Sequence, residues 1–159
     1  MSDVSAQRRP NLAAAILTGG LVAGAVDLLA ATIIYHAPLP VICKSVAGGL
    51  LGAKASQAGG TPNALIGAAC HFAIMTTIAA IYVLASRRLP ILVKQPLIFA
   101  PLYGAAMYIV MNYVVVPLSA IGPRPTPPLP ILAEAVALHM FILAPIIVFA
   151  ARKFAPARD

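Results

Sequence analysis

Acidic residues are scarce in this sequence of 159 residues, which has four Asp and Glu against eleven Lys and Arg. Charged residues make up 9% of the chain, whereas hydrophobic residues make up 61%. Soluble domains have about 25% charged residues, so this composition excludes an ordinary soluble domain. The formal net charge is +7, but the basic residues are not interleaved with aromatic ones as in a nucleic-acid-binding surface. No nucleic-acid partner is therefore predicted.

Cysteine is also rare, and the sequence has no tryptophan. The two cysteines, Cys43 and Cys70, form no spaced motif, so neither a disulfide framework nor a metal knuckle is predicted. The sequence has no nucleophile–base motif and no phosphate-binding loop motif. It therefore does not predict an enzyme.

Long apolar runs, by contrast, account for most of the chain. Each of four runs has about the 20 residues that a helix needs to cross a hydrocarbon layer. The sequence predicts an all-α, polytopic membrane protein that forms a single membrane domain, with the lipid bilayer as its first partner. The four predicted transmembrane helices are residues 12–35, 64–85, 97–116 and 129–151.

A fifth apolar run, residues 41–55, is too short to span the membrane and contains Lys44 and Lys54. It predicts a short helix on the outer side, and the pattern leaves open whether that helix is interfacial or re-entrant. Gly20 and Gly24 have the spacing of the GxxxG motif, which predicts that the first helix packs closely against a neighbour.

Lysine and arginine indicate the orientation of these helices, because cytoplasmic loops are enriched in them. The loops on the side of the termini hold Arg8, Arg9, Arg87, Arg88, Lys94, Arg152, Lys153 and Arg158, whereas the opposite side holds Lys44, Lys54 and Arg124. This ratio of eight to three predicts that both termini are cytoplasmic.

A cleaved signal peptide is the alternative for the first helix. Arg8 and Arg9, the apolar run after them and the segment Ala23-Gly24-Ala25 resemble such a peptide and its cleavage site. The apolar run nevertheless continues to Tyr35, where a mature protein would usually become polar. The pattern therefore favours a retained helix.

Five polar side chains fall within the predicted spans, and every span has at least one: Asp27, His71, Asn112, Glu134 and His139. Counted from the cytoplasmic ends at ~1.5 Å per residue, they lie about 20–27 Å from that face. They therefore form a layer in the outer half. Such residues are costly in lipid, so all five are expected to face the bundle interior, with Asp27 and His71 as the direct pair.

Two interpretations of the layer remain open. The five side chains could hold the helices in register through hydrogen bonds, each worth about 0.6–2 kcal/mol. Alternatively, they could form a binding pocket or proton relay that opens outward, since histidine beside a carboxylate changes charge near physiological pH.

No cofactor and no metal are predicted. His71 and His139 lie on different helices, and axial haem ligation by such a pair is conceivable, but nothing else in the sequence supports it. Asp27, His71, Glu134 and His139 are suitable metal ligands without diagnostic spacing. Glu134 and His139 are about 140° apart around their helix, which disfavours a shared ion.

The last 90 or so residues, roughly 70–156, resemble the YagU-like family of bacterial inner-membrane proteins. The matching residues are His71-Phe72, Tyr82, Pro90, Gly104, Pro117-Leu118-Ser119-Ala120, Glu134 and Leu138-His139. The resemblance implies a helical bundle in a bacterial inner membrane. It implies no particular activity, because the family has none established.

Two functions remain from the sequence. The first is a small proton-linked or solute transport protein that uses the outer polar layer. The second is a structural or accessory membrane subunit in which the polar layer only holds the helices in register. Because four helices leave little room for a transport pathway, a second copy or another membrane protein is considered as a partner.

Overall fold

The computed structural model describes residues 10–156, which form helices and no strand. We number the helices in chain order. They are α1 (Leu12–Ile34), α2 (Leu39–Leu51), α3 (Ala53–Ala58), α4 (Thr61–Arg88), α5 (Ile91–Lys94), α6 (Pro96–Leu118) and α7 (Leu129–Phe154).

Four of these helices, α1, α4, α6 and α7, are long and apolar enough to cross a membrane. This confirms the predicted all-α polytopic fold. The helix ends differ from the predicted ends by at most three residues, because α4 and α7 continue beyond the apolar runs into short segments that contain polar and basic residues.

Local sequence explains where the helices begin. The Asn11 side chain caps α1 by accepting a hydrogen bond of 2.9 Å from the Ala14 amide. Four other helices have a proline in the first turn, where the missing N–H costs nothing, namely Pro40, Pro62, Pro96 and Pro130.

Both ends of the described chain meet at one end of the bundle, which we call the proximal end. The Asn11 amide donates to the Phe154 carbonyl at 2.7 Å, and the Arg87 guanidinium donates to the Pro156 carbonyl at 2.7 Å. The opposite end is the distal end. Arg8, Arg9 and Arg158, which contributed to the predicted orientation, lie outside the described residues.

Helix α1 runs through the centre of the bundle between α4 and α7, and α6 packs on the other side of α7. The proximal half is tightly filled, since Tyr82 and Val83 of α4 and Leu143, Ile147 and Val148 of α7 have almost no exposed surface. The distal half is wider, and it holds the cavity described below.

Two of the spans contain one turn of π-helix, at Met111–Val115 in α6 and His139–Leu143 in α7. Each π turn ends just before a proline, Pro117 or Pro145. A proline inside a helix cannot bond the carbonyl four residues earlier and its ring clashes with that carbonyl. The wider π turn relieves both problems and changes the direction of the side chains in that turn.

The prediction of one short helix over residues 41–55 is wrong in its details. The chain forms two helices there, α2 and α3, which are separated at Gly52. Gly52 has φ +81° and ψ 149°, a conformation that side chains other than glycine rarely adopt. Both ends of α2 lie at the distal end, since α2 follows α1 directly and the Gly49 carbonyl accepts a bond from Ala120 after α6.

Candidate functional site

A cavity of about 550 Å³ lies between the four spans in the distal half of the bundle. Helix α2 and the segment after α6 cover part of it. The cavity reaches the distal surface, where the exposed residues Tyr35 and Arg124 form part of its wall. Its volume is within the range of about 300–1,000 Å³ that small-molecule sites occupy.

Asp27 and His71 form an ionisable pair in the wall of this cavity. The His71 Nε2 atom lies 3.8 Å from the Asp27 Oδ2 atom and 3.0 Å from the Gly24 carbonyl oxygen. Because a carbonyl only accepts, His71 Nε2 carries a proton and donates it to Gly24, and Nδ1 is the acceptor in the neutral ring. The structure therefore brings together the pair that residue counting predicted.

Close packing of α1 on α4 places this pair. A Cβ atom at Gly20 would lie 2.6 Å from the Thr76 Cα atom, and one at Gly24 would lie 3.0 Å from the Phe72 ring. Gly20 has no room for a larger residue, and at Gly24 the Phe72 ring would have to shift. The two glycines therefore have the packing role that their spacing predicts, and they bring the carbonyl of Gly24 within reach of His71.

His139 lies in the wall contributed by α7 and, like His71, interacts electrostatically with Asp27. Its Nδ1 atom lies 2.8 Å from the Ala135 carbonyl, and its ring packs edge-on against Tyr108 at 5.5 Å between ring centroids. Nδ1 is therefore the donor, and Nε2 is the acceptor in the neutral ring. Asp27, His71 and His139 therefore share the wall of one cavity.

Asn112 also lines the cavity, from the π turn of α6. Its side-chain amide donates to the Tyr108 carbonyl of its own helix at 3.0 Å. Of the five predicted residues, four thus line one cavity: Asp27, His71, Asn112 and His139.

Glu134 is the exception, and the expectation that all five side chains face the interior is wrong for it. Glu134 is exposed on α7, whereas Ala135, Leu138 and His139 on the same helix line the cavity. Because five residues correspond to about 140° of helix rotation, one of Glu134 and His139 must turn away when the other points inward. Glu134 is near the distal end of α7, where a carboxylate can reach the lipid headgroups at low cost.

Sequence reasoning missed other polar residues of the cavity wall, including Tyr35, Ser45 and Arg124. Ser45 and Arg124 lie outside the four predicted spans, and Tyr35 is the last residue of the first one, so the polar layer predicted within the spans did not include them. Tyr35 shares an electrostatic environment with Asp27 and Arg124. Burial raises the pKa of Tyr35 most, the negative charge of Asp27 raises it further, and the positive charge of Arg124 lowers it.

No three His, Cys, Asp or Glu side chains among residues 10–156 are arranged to hold a metal ion. The two imidazoles and the carboxylate can bind, accept and release protons. Comparisons with protein-family models, with curated proteins and with solved structures find no match to this chain.

Proposed function

We propose that this protein is a proton-linked carrier of a small solute, and that the distal cavity binds the solute. The observation that carries the proposal is the position of Asp27, His71 and His139 in the wall of a cavity about 550 Å³ in volume between four membrane-spanning helices. Ionisable side chains at such depth are costly, at about 2.5–3.5 kcal/mol for a carboxylate or a basic residue even on the lenient insertion scale.

Proton coupling follows from the chemistry of the three side chains. Protonation of His71 places a positive charge beside the Asp27 carboxylate, and protonation of His139 places one in the same cavity wall. Loss of these protons leaves the carboxylate without that compensation. A solute that interacts with Asp27 or with the histidines therefore binds with an affinity that depends on their protonation. Conversely, solute binding changes the proton affinity of the site by the same free energy.

A purely structural role for the polar layer predicts that its side chains form hydrogen bonds between helices. Only part of the layer has such bonds. The His71 bond to Gly24 does join α4 to α1. The bonds of Asn112 and His139 go to carbonyls of their own helices, so they do not hold neighbouring helices in register. This difference favours a binding site over a purely structural or accessory role.

We also propose which membrane holds the protein and how the protein is oriented in it. The resemblance to the YagU-like family supports a bacterial inner membrane, and the distribution of basic residues supports cytoplasmic termini. Since the proximal half is packed solid, a carrier must rearrange to open the cavity toward the termini. A second copy or another membrane protein could provide the surface for that movement.

Cys70 provides the test, because it lines the cavity, whereas Cys43 is buried in α2. The Cys43→Ala variant keeps Cys70 as its only thiol, and it is treated with a membrane-impermeant cationic methanethiosulfonate. The reagent is added to intact spheroplasts in one arm and to inverted membrane vesicles in the other. A carrier exposes Cys70 in both arms, and Asp27→Asn changes the ratio of the two rates.

The Cys70→Ala variant, which retains Cys43, is the matched control and stays unlabelled until the protein is denatured. Burial raises the pKa of the Cys43 thiol, so its reactive thiolate is scarcer than that of a free cysteine at any given pH. Labelling of Cys70 from one side alone, at every pH between about 5 and 8, would refute the carrier and support a fixed structural cavity.

A further inference from the structure

Helices α4 and α6 are held apart along a seam that faces the lipid. Helix α4 packs against α1 and α2, and α6 packs against α7, while α4 and α6, both within the described residues, have little backbone contact with each other. Tyr103 of α6 bridges them: its hydroxyl donates to the Ile78 carbonyl at 2.7 Å, and its ring lies 4.7 Å from the Tyr82 ring.

On the distal side of Tyr103, the seam leads into the cavity through apolar side chains of both helices, including Ile74, Ile78 and Met111. On the proximal side, a second groove of about 300 Å³ continues along the same two helices and α5. Apart from its two tyrosines, that groove is lined by apolar residues such as Ile81, Leu92, Phe99 and Leu102.

We propose that the cavity takes its ligand from the bilayer through this seam, and that the ligand is a single-chain amphiphile with a hydrogen-bond-donating hydroxyl head. This inference rests on the proposed function and names the class of its solute. The head lies at Asp27 and His139, and the hydrocarbon chain leaves through the seam into the apolar groove.

The polarity of the walls supports this assignment. The ionisable pair and His139 come from α1, α4 and α7, and Arg124 lines the cavity at the distal surface, whereas Ile74, Ile78 and Met111 at the seam are apolar. A ligand that spans both walls therefore needs one polar end and one apolar end. At the polar end, the Asp27 carboxylate and the His139 Nε2 atom accept hydrogen bonds, so they suit a hydroxyl donor, and the negative charge of Asp27 repels a carboxylate head.

The test uses a photoreactive hexadecanol that carries a diazirine in mid-chain and a terminal alkyne. The full-length protein in nanodiscs is irradiated with this probe, digested and mapped by mass spectrometry. Labelling is expected on the seam residues of α4 and α6, and an excess of plain hexadecanol should abolish it. Hexadecanoic acid should compete poorly. Equal competition by the acid would overturn the assignment of the head.

A second experiment uses substitutions that fill the seam between α4 and α6. Ala73 and Ala106 are exposed and line the distal cavity and the proximal groove, so a tryptophan at either position blocks the seam without entering the core. Ala73→Trp and Ala106→Trp should each lower the competed labelling about tenfold, as expected for an overpacked site. Leu97→Trp is the control, because Leu97 is 83% exposed on α6 away from both cavities.

The two proposals fail in different ways. Labelling that hexadecanol does not compete, or that the seam-filling variants do not change, overturns the amphiphile even if Cys70 is labelled from both sides, and the carrier then takes a water-soluble solute. Competed labelling with Cys70 accessible from the distal side alone supports the amphiphile site and refutes the carrier.

Discussion

Gly104 of α6 packs directly against the π turn of α7, and a Cβ atom at this position would overlap the backbone of His139 and Met140. We expect Gly104→Ala to push α6 away from α7 and to displace His139. Overpacking against backbone cannot be relieved by a change of rotamer, so the free energy of unfolding should fall by at least about 2 kcal/mol. Thermal unfolding in detergent measures this loss.

Gly49→Ala is the matched control for this substitution. Gly49 is also within a helix, and a Cβ atom there would make ordinary contacts of 3.7 Å with Ser119. Alanine is favoured over glycine in a helix by about 1 kcal/mol, so this variant should be unchanged or slightly more stable. Equal destabilisation of both variants would show that the contact between Gly104 and His139 does not matter.

The residues of the site were predictable to different degrees. Asp27 and His71 could be paired from the sequence because the rise per residue in a helix is constant and equal depths can be counted. The direction of Glu134 could not be predicted in the same way. Counting gives depth along a span, but facing direction depends on which neighbours pack against the helix, and here they favour His139.

At the scale of elements, several contacts fix the position of α2 at the distal end of the bundle. Its side chains Ile42, Ser45 and Val46 line the cavity, and the Lys44 ammonium donates to the Gly59 carbonyl at 3.4 Å. Gly67 of α4 leaves room for the close approach of Cys43, since a Cβ atom there would overlap the Cys43 carbonyl. The α2–α3 pair is therefore held against the distal end of α4.

Cysteines at Ser45 and Gln57 test this position of α2 and α3. In a background without Cys43 and Cys70, both engineered thiols should react with an impermeant maleimide added from the distal side, because α2 is too short to cross the bilayer. Gln57 is exposed and should react faster than Ser45, which is half-buried at the cavity. Reaction of the two thiols from opposite sides would mean that this segment crosses the membrane.

The π turns at Met111–Val115 and His139–Leu143 are features of elements that the sequence only partly indicated. Pro117 and Pro145 predict irregular helix geometry near these points, because each lacks a backbone donor. A kink, a broken turn and a π turn all relieve that conflict. In α7, the π turn packs against Gly104 of α6, which leaves room for the His139 backbone.

For the whole molecule, the orientation in the membrane is the prediction with the broadest consequences. The hydrogen bonds of Asn11 with Phe154 and of Arg87 with Pro156 place both described ends at one end of the bundle. A periplasm-dependent reporter such as alkaline phosphatase, fused after Asp159, should be inactive because the basic residues favour cytoplasmic termini. The same reporter fused after Arg124, in the distal connection, is the control and should be active.

An active fusion after Asp159 combined with an inactive fusion after Arg124 would show that the protein has the opposite orientation in the membrane. The cavity would then open to the cytoplasm, although its residues and distances would be unchanged. The direction of any proton coupling would reverse with it.

The sequence by itself determined the number of spans and their limits to within three residues. It could do so because a helix that crosses a bilayer needs a set apolar length, so hydropathy converts directly into helix limits. Only the tertiary structure decided that α4 and α6 stand apart, that Glu134 turns outward, and that Tyr35 and Arg124 join the cavity wall. These depend on contacts between distant segments, chiefly the glycine contacts that bring α1 onto α4 and α6 onto α7, and composition and periodicity do not encode which helices become neighbours.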